Sequence, residues 1–116
     1  MKEFQLNKYM VEPEGKIAKR MVYQDKNVIC FVLNIAKGEE LPPHTHFECT
    51  VLVQVLKGSS KLVVDGQTTS ISQGDIVQLD GPEKMSVRND GDETLSLYVS
   101  ISPAPPSEKY AMNVDI

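Results

Sequence analysis

Tryptophan is absent from this 116-residue chain, and histidine and cysteine each occur only twice. Two cysteines cannot build the multi-bridge framework on which small secreted domains depend. Cys30 and Cys49 therefore read as reduced core residues of a cytoplasmic protein rather than as a Cys30–Cys49 bridge. Alanine, the best helix former, appears four times against thirteen Val and seven Ile. Branched side chains are stiff at χ1 and suit a pleated surface. No stretch holds a 3.6-residue apolar period, which excludes a helical bundle. No apolar run approaches the ~20 residues that cross a bilayer as a helix. The opening MKEFQLNKYMVEPEG carries charge where a signal peptide would have its apolar centre. A basic excess is also missing. Twelve Lys and Arg stand against sixteen Asp and Glu, a net charge of −4, with no footprint for nucleic acid or an anionic membrane surface. Nor is there a GxSxG elbow, a phosphate-cradling glycine loop or a CxxC pair.

What is present is a series of short strand-like runs separated by turn signals. After an N-terminal arm (residues 1–15), strands are expected over Lys16 to Tyr23 and Asn27 to Ala36. Lys37 to Pro43 reads as a loop, because paired prolines cannot donate to a ladder. Cys49 to Lys57 is the strongest strand. Lys61 to Val64 pairs with Thr68 to Ser72 across Asp65-Gly66, a good hairpin dipeptide where φ > 0 is needed. Ile76 to Leu79, Met85 to Arg88 and Leu95 to Ile101 follow, and Pro103, Pro105 and Pro106 open a C-terminal tail (residues 103–116). The result is one all-β domain over residues 1–116, with short antiparallel strands closed into a sandwich or barrel.

Two strands carry more information. In the last, Leu95, Leu97, Val99 and Ile101 share one face, and Ser96, Tyr98, Ser100 and Ser102 the other. In Val51 to Leu56 both faces are apolar except at Gln54, so the outer face needs cover from the amino-terminal segment or from a second subunit. A homodimer is expected on that ground.

His44 and His46 are the only histidines, and i,i+2 spacing places both on one face of a strand. Neutral imidazoles converging from one face can share a metal ion. They can equally be partly buried rings bonded to backbone or water.

At this point the sequence resembles the cupin family of jelly-roll barrels. Gly38-EELPP-His44-Thr45-His46 matches the first half of that family's first motif, and Val55-Leu56-Lys57-Gly58 its end. Gly74-Asp75 opens the second motif and Asn89 closes it. The resemblance spans about residues 28–101 and implies a cupin-type barrel of roughly eight to ten strands. It also implies a metal site of three histidines and one glutamate, of which only His44 and His46 carry over. The glutamate position falls at Val51 (Thr50 by a shorter spacing) and the third histidine at Met85. Glu48 shares parity with the histidines, but the family spacing implies a turn that carries it outside the barrel. Cys49 reads as a small buried hydrophobe. The ligand set is then His44, His46 and Met85, holding weakly a divalent transition metal or copper, since a thioether is a soft donor. The resemblance implies a protein that binds a small ligand in its barrel without an assignable reaction. Its alternative is a metal-dependent oxygenase or isomerase acting on a small organic acid or sugar.

Overall fold

The Val- and Ile-rich runs form strands whose alternate side chains are driven to one side. The computed structural model describes every residue except Phe47. Among these residues are ten strands: β1 (Ile17–Gln24), β2 (Ile29–Ile35), β3 (Glu40–His44), β4 (Thr50–Lys57), β5 (Ser59–Val64), β6 (Gln67–Ser72), β7 (Ile76–Asp80), β8 (Met85–Arg88), β9 (Leu95–Ser102) and β10 (Val114–Asp115). They make a six-stranded sheet in the order β10-β1-β2-β9-β4-β7 and a four-stranded sheet in the order β3-β8-β5-β6, with every pairing antiparallel. Two short 3-10 turns, Leu6–Tyr9 and Glu108–Ala111, are the only helical segments among the described residues, and neither is long or apolar enough to cross a membrane.

The sheets face each other across a single apolar core. Val51, Val53 and Val55 from β4 meet Leu97, Val99 and Ile101 from β9, with Leu62, Met85 and Val87 closing from the smaller sheet. Each such side chain, fully buried, contributes about 1.5–3 kcal/mol. The β5–β6 hairpin turns at Asp65 and Gly66 with φ of 48° and 83°, the positive pair that matches the right-handed twist of the strands.

One expected loop is a strand. Pro42 and Pro43 lie within β3, which pairs with β8 at Glu40↔Arg88, Leu41↔Val87 and His44↔Met85, with the register shifting between Leu41 and His44. The prolines occupy that irregularity on an edge strand, so no ladder hydrogen bond is asked of their missing N–H groups. The C-terminal tail is likewise more than a tail. β10 pairs with β1, Arg20 Nη2 lies 2.8 Å from Asp115 Oδ1, and the Met21 N–H donates to Asn113 Oδ1 at 2.7 Å.

The outer face of the six-stranded sheet is half covered by the N-terminal arm. Beneath it Val32 and Asn34 are wholly buried and Ser96 is 2% exposed. The Asn34 amide donates to the Tyr9 and Ala18 carbonyls and accepts from the Ser96 hydroxyl at 2.7 Å. Thr94 donates to Glu12, whose carboxylate also faces Lys57 at 3.7 Å. Burying these polar groups is tolerable because each is bonded. Beyond the arm, Leu52 is 39% exposed and Ile76 61% exposed.

Candidate metal and ligand site

His44 ends β3 directly opposite Met85 of β8. Cross-strand partners project to the same face, so imidazole and thioether enter the barrel side by side, Met85 at 3% exposure. His46 lies beyond the end of β3, so the expectation of two histidines on one continuous strand is corrected: the strand stops at the first. The second is placed by a different element. Its N–H donates to the Gly81 carbonyl at 2.9 Å, and its own carbonyl accepts from the Cys49 N–H at 2.9 Å. The turn after β7 therefore positions His46, and it does so at close range. A Cβ on Gly81 would run into the His46 carbonyl oxygen and lie 2.8 and 2.9 Å from the Cys49 carbonyl oxygen and nitrogen.

The two rings meet edge to face, Nε2 to Nε2 at 3.1 Å. His44 Nδ1 lies 2.8 Å from the Pro42 carbonyl. A carbonyl only accepts, so Nδ1 carries the proton and Nε2 of a neutral His44 presents its lone pair inward. Burial, and secondarily the neighbouring His44, pushes the His46 pKa down to about 4. That ring is neutral near pH 7, the form that coordinates metals.

Two nitrogens each about 2.0–2.1 Å from one ion, at tetrahedral to square angles, would stand roughly 2.9–3.4 Å apart. The observed separation falls within that span, and the Pro42 carbonyl supplies the outer hydrogen bond that fixes a ligating imidazole. The imidazole pair fits an ion. The family's full ligand set does not. Val51, at the position of the glutamate, is wholly buried in the wall of the same cavity. Glu48 is exposed, with φ of 65°, and the Cys49 thiol donates to the Pro103 carbonyl at 3.3 Å. Among the described residues no three His, Cys, Asp or Glu side chains come together. Both cysteines are free thiols, with Cys30 on the outer face of the sheet against Ser100.

The cavity between the histidines, Met85 and the β4 and β9 valines measures about 30 Å³, room for an ion or a water, so the expectation of a small organic ligand inside the barrel is corrected: the interior is filled by packed side chains. On the other side of His46 a groove of about 420 Å³ runs between its loop and the C-terminal tail. Two further residues have roles that the sequence reading did not assign. Gly81 registered only as a turn former. Asn89, which the motif pattern did locate, is a clamp: 1% exposed, its amide donates to the Ile35 and Glu93 carbonyls, and its oxygen accepts from the Gly91 N–H.

Two facing antiparallel sheets with an imidazole pair at the mouth of the interior define a jelly-roll barrel. A family profile described as a cupin domain matches residues 31–101. The chain belongs to the cupin family. No curated protein matches significantly. Among solved structures it is similar to a conserved protein with a double-stranded β-helix domain from Klebsiella pneumoniae, at 18% identity over 92% of this chain and 94% of that one, with a TM-score of 0.84. An RmlC-like cupin from Desulfovibrio desulfuricans shares 24% identity over 89% and 97%, TM-score 0.78. A predicted oxalate decarboxylase from Thermotoga maritima shares 19% over 78% and 83%, TM-score 0.72. At these identities the likeness is one of fold.

Proposed function

We propose that this cupin binds a small ligand at its barrel mouth and holds a soft or borderline transition-metal ion weakly, through Nε2 of His44 and Nε2 of His46 with the Met85 thioether as the third donor, without an assignable reaction. The observation that carries this reading is the 3.1 Å separation of two inward-facing Nε2 atoms, one of them fixed through Nδ1. When bound, the ion supplies a Lewis-acid centre to which a small ligand adds a donor. Burial holds the His46 imidazole neutral, the Pro42 carbonyl orients that of His44, and packed valines line the cavity beside them. An oxygenase or isomerase mechanism lacks support at Val51, where an aliphatic side chain stands in place of a carboxylate ligand.

Tag-free protein dialysed against Zn(II), Ni(II), Fe(II) or Cu(I) and measured by elemental analysis is expected to retain close to one ion per chain, which a chelator removes. His44→Ala and His46→Ala each abolish retention, while Met85→Leu weakens Cu(I) and leaves Zn(II) nearly unchanged. Wild-type protein that retains none of these ions overturns the proposal.

We propose separately, from the apolar outer face of β4, that the protein is a cytoplasmic homodimer, a second copy covering the exposed Leu52 and Ile76 beside the arm. Light scattering at micromolar concentration should then report about twice the 12.9 kDa chain mass; a 12.9 kDa particle removes the dimer.

A further inference from the structure

The cavity inside the barrel is too small for an organic molecule, whereas the groove outside His46 has the volume of an ordinary small-ligand site. His46 lines both spaces. We propose that this groove is a binding site for a small organic amine. The inference rests on reading the barrel mouth as the ligand-binding end, and it names the ligand class.

The walls are of two kinds. Thr45, His46, Glu48 and Cys49 form one side, and Pro105, Pro106, Ser107 and Tyr110 of the tail form the other. The tail is fixed at both ends of this stretch. The Cys49 thiol donates to the Pro103 carbonyl at 3.3 Å, and Lys19 Nζ donates to the Tyr110 carbonyl at 2.7 Å. Pro105, Pro106 and Tyr110 supply apolar surface for a ligand's carbon body, and a tyrosine ring also attracts a cation.

Charge selects the class. Among the lining residues Glu48 alone carries a formal charge near pH 7. It is exposed and makes no ion pair with any described residue. Among the described residues no Lys or Arg lines the groove. Lys19, the cation that reaches the same tail, is engaged by the Tyr110 carbonyl and lies 4.5 Å above the Phe31 ring. A carboxylate ligand would meet one anion and no cation, whereas an ammonium group would meet Glu48 with its apolar body against the proline and tyrosine faces.

The test is an amide chemical-shift titration of ¹⁵N-labelled, metal-free full chain with benzylamine, benzyl alcohol and benzoate at one ionic strength. Benzylamine is expected to shift the amides of Thr45, Glu48, Cys49, Ser107 and Tyr110 saturably, with affinity about two- to fivefold above that of benzyl alcohol, through attraction to Glu48, and further above that of benzoate, which Glu48 repels. Glu48→Gln, an exposed substitution that leaves the fold intact, should bring benzylamine and benzyl alcohol to equal affinity. Benzoate or benzyl alcohol binding as tightly as benzylamine, shifts that map elsewhere, no binding of benzylamine, or a preference unchanged in Glu48→Gln each overturns the proposal. Because the titration is run without metal, its failure leaves the two-imidazole ion site standing, and loss of the ion site leaves the amine result standing.

Discussion

Val51→Glu is expected to turn this chain into one whose stability depends on a metal ion. Val51 is wholly buried in the wall of the cavity that His44, His46 and Met85 share. A carboxylate there, without an ion, either sits unpaired in an apolar wall or draws a proton onto a neighbouring imidazole and buries an ion pair. Both are unfavourable, on the order of 3–5 kcal/mol for a buried charge without adequate partners. With Zn(II) the same carboxylate becomes an anionic ligand beside two neutral nitrogens, close to the composition of a catalytic zinc site. Ligand-linked stabilisation of about 2.7 kcal/mol at an ion concentration one hundred times the Kd should then return most of the loss. Thermal unfolding with and without Zn(II) checks this. In the wild type the ion should raise Tm only slightly; in Val51→Glu the metal-free form should melt far lower and recover with metal. A variant equally unstable in both conditions would show that position 51 does not aim at the imidazole pair.

Gly81→Ala should abolish ion retention with both histidines intact. The added methyl meets backbone atoms of His46 and Cys49 rather than a flexible side chain, so the loop that carries His46 must move. Overpacking of this kind costs about 1–3 kcal/mol. The larger effect falls on geometry, because the His46 N–H donates to the Gly81 carbonyl and moves with it. A comparable loss of stability away from the mouth provides the contrast. Ile71→Val in β6 should cost about 0.5–1.5 kcal/mol and leave the ion bound. Elemental analysis alongside denaturant unfolding separates the two, and retention of the ion by Gly81→Ala would show that the loop tolerates the displacement.

The strand faces that fill the barrel were readable because they depend on period-2 alternation alone. Leu95, Leu97, Val99 and Ile101 are all buried on one face of β9, as are Val51, Val53 and Val55 on β4. The Asp65-Gly66 hairpin was readable for a local reason too, since two positive φ angles need residues that tolerate them. Local reasoning failed at Pro42-Pro43. A proline pair forbids a central strand but not an edge with a register shift, and edge position is a property of the whole sheet. It also failed at Asn34 and Ser96. Alternation puts them on the outer strand faces and is silent on cover, yet both are buried beneath the arm, where the Ser96 hydroxyl donates to Asn34 Oδ1. The outer-face question raised by Leu52 and Leu56 has a divided answer for the same reason. The arm covers one half of that face, and Leu52 with Ile76 stays open on the other.

For the site, spacing and motif placed His44, His46 and Met85 at one end of the barrel but could not say how the second imidazole gets there. Chain chemistry by itself determined an all-β barrel with two histidines, a thioether and no neighbouring carboxylate, because side-chain periodicity and residue identity are local properties. Only the tertiary structure decided that the rings meet at Nε2, that a glycine four strands later in the chain bonds the backbone of one of them, and that the roomier of the two spaces His46 lines is outside the barrel. Those outcomes depend on contacts between segments far apart in the chain, which no local pattern encodes.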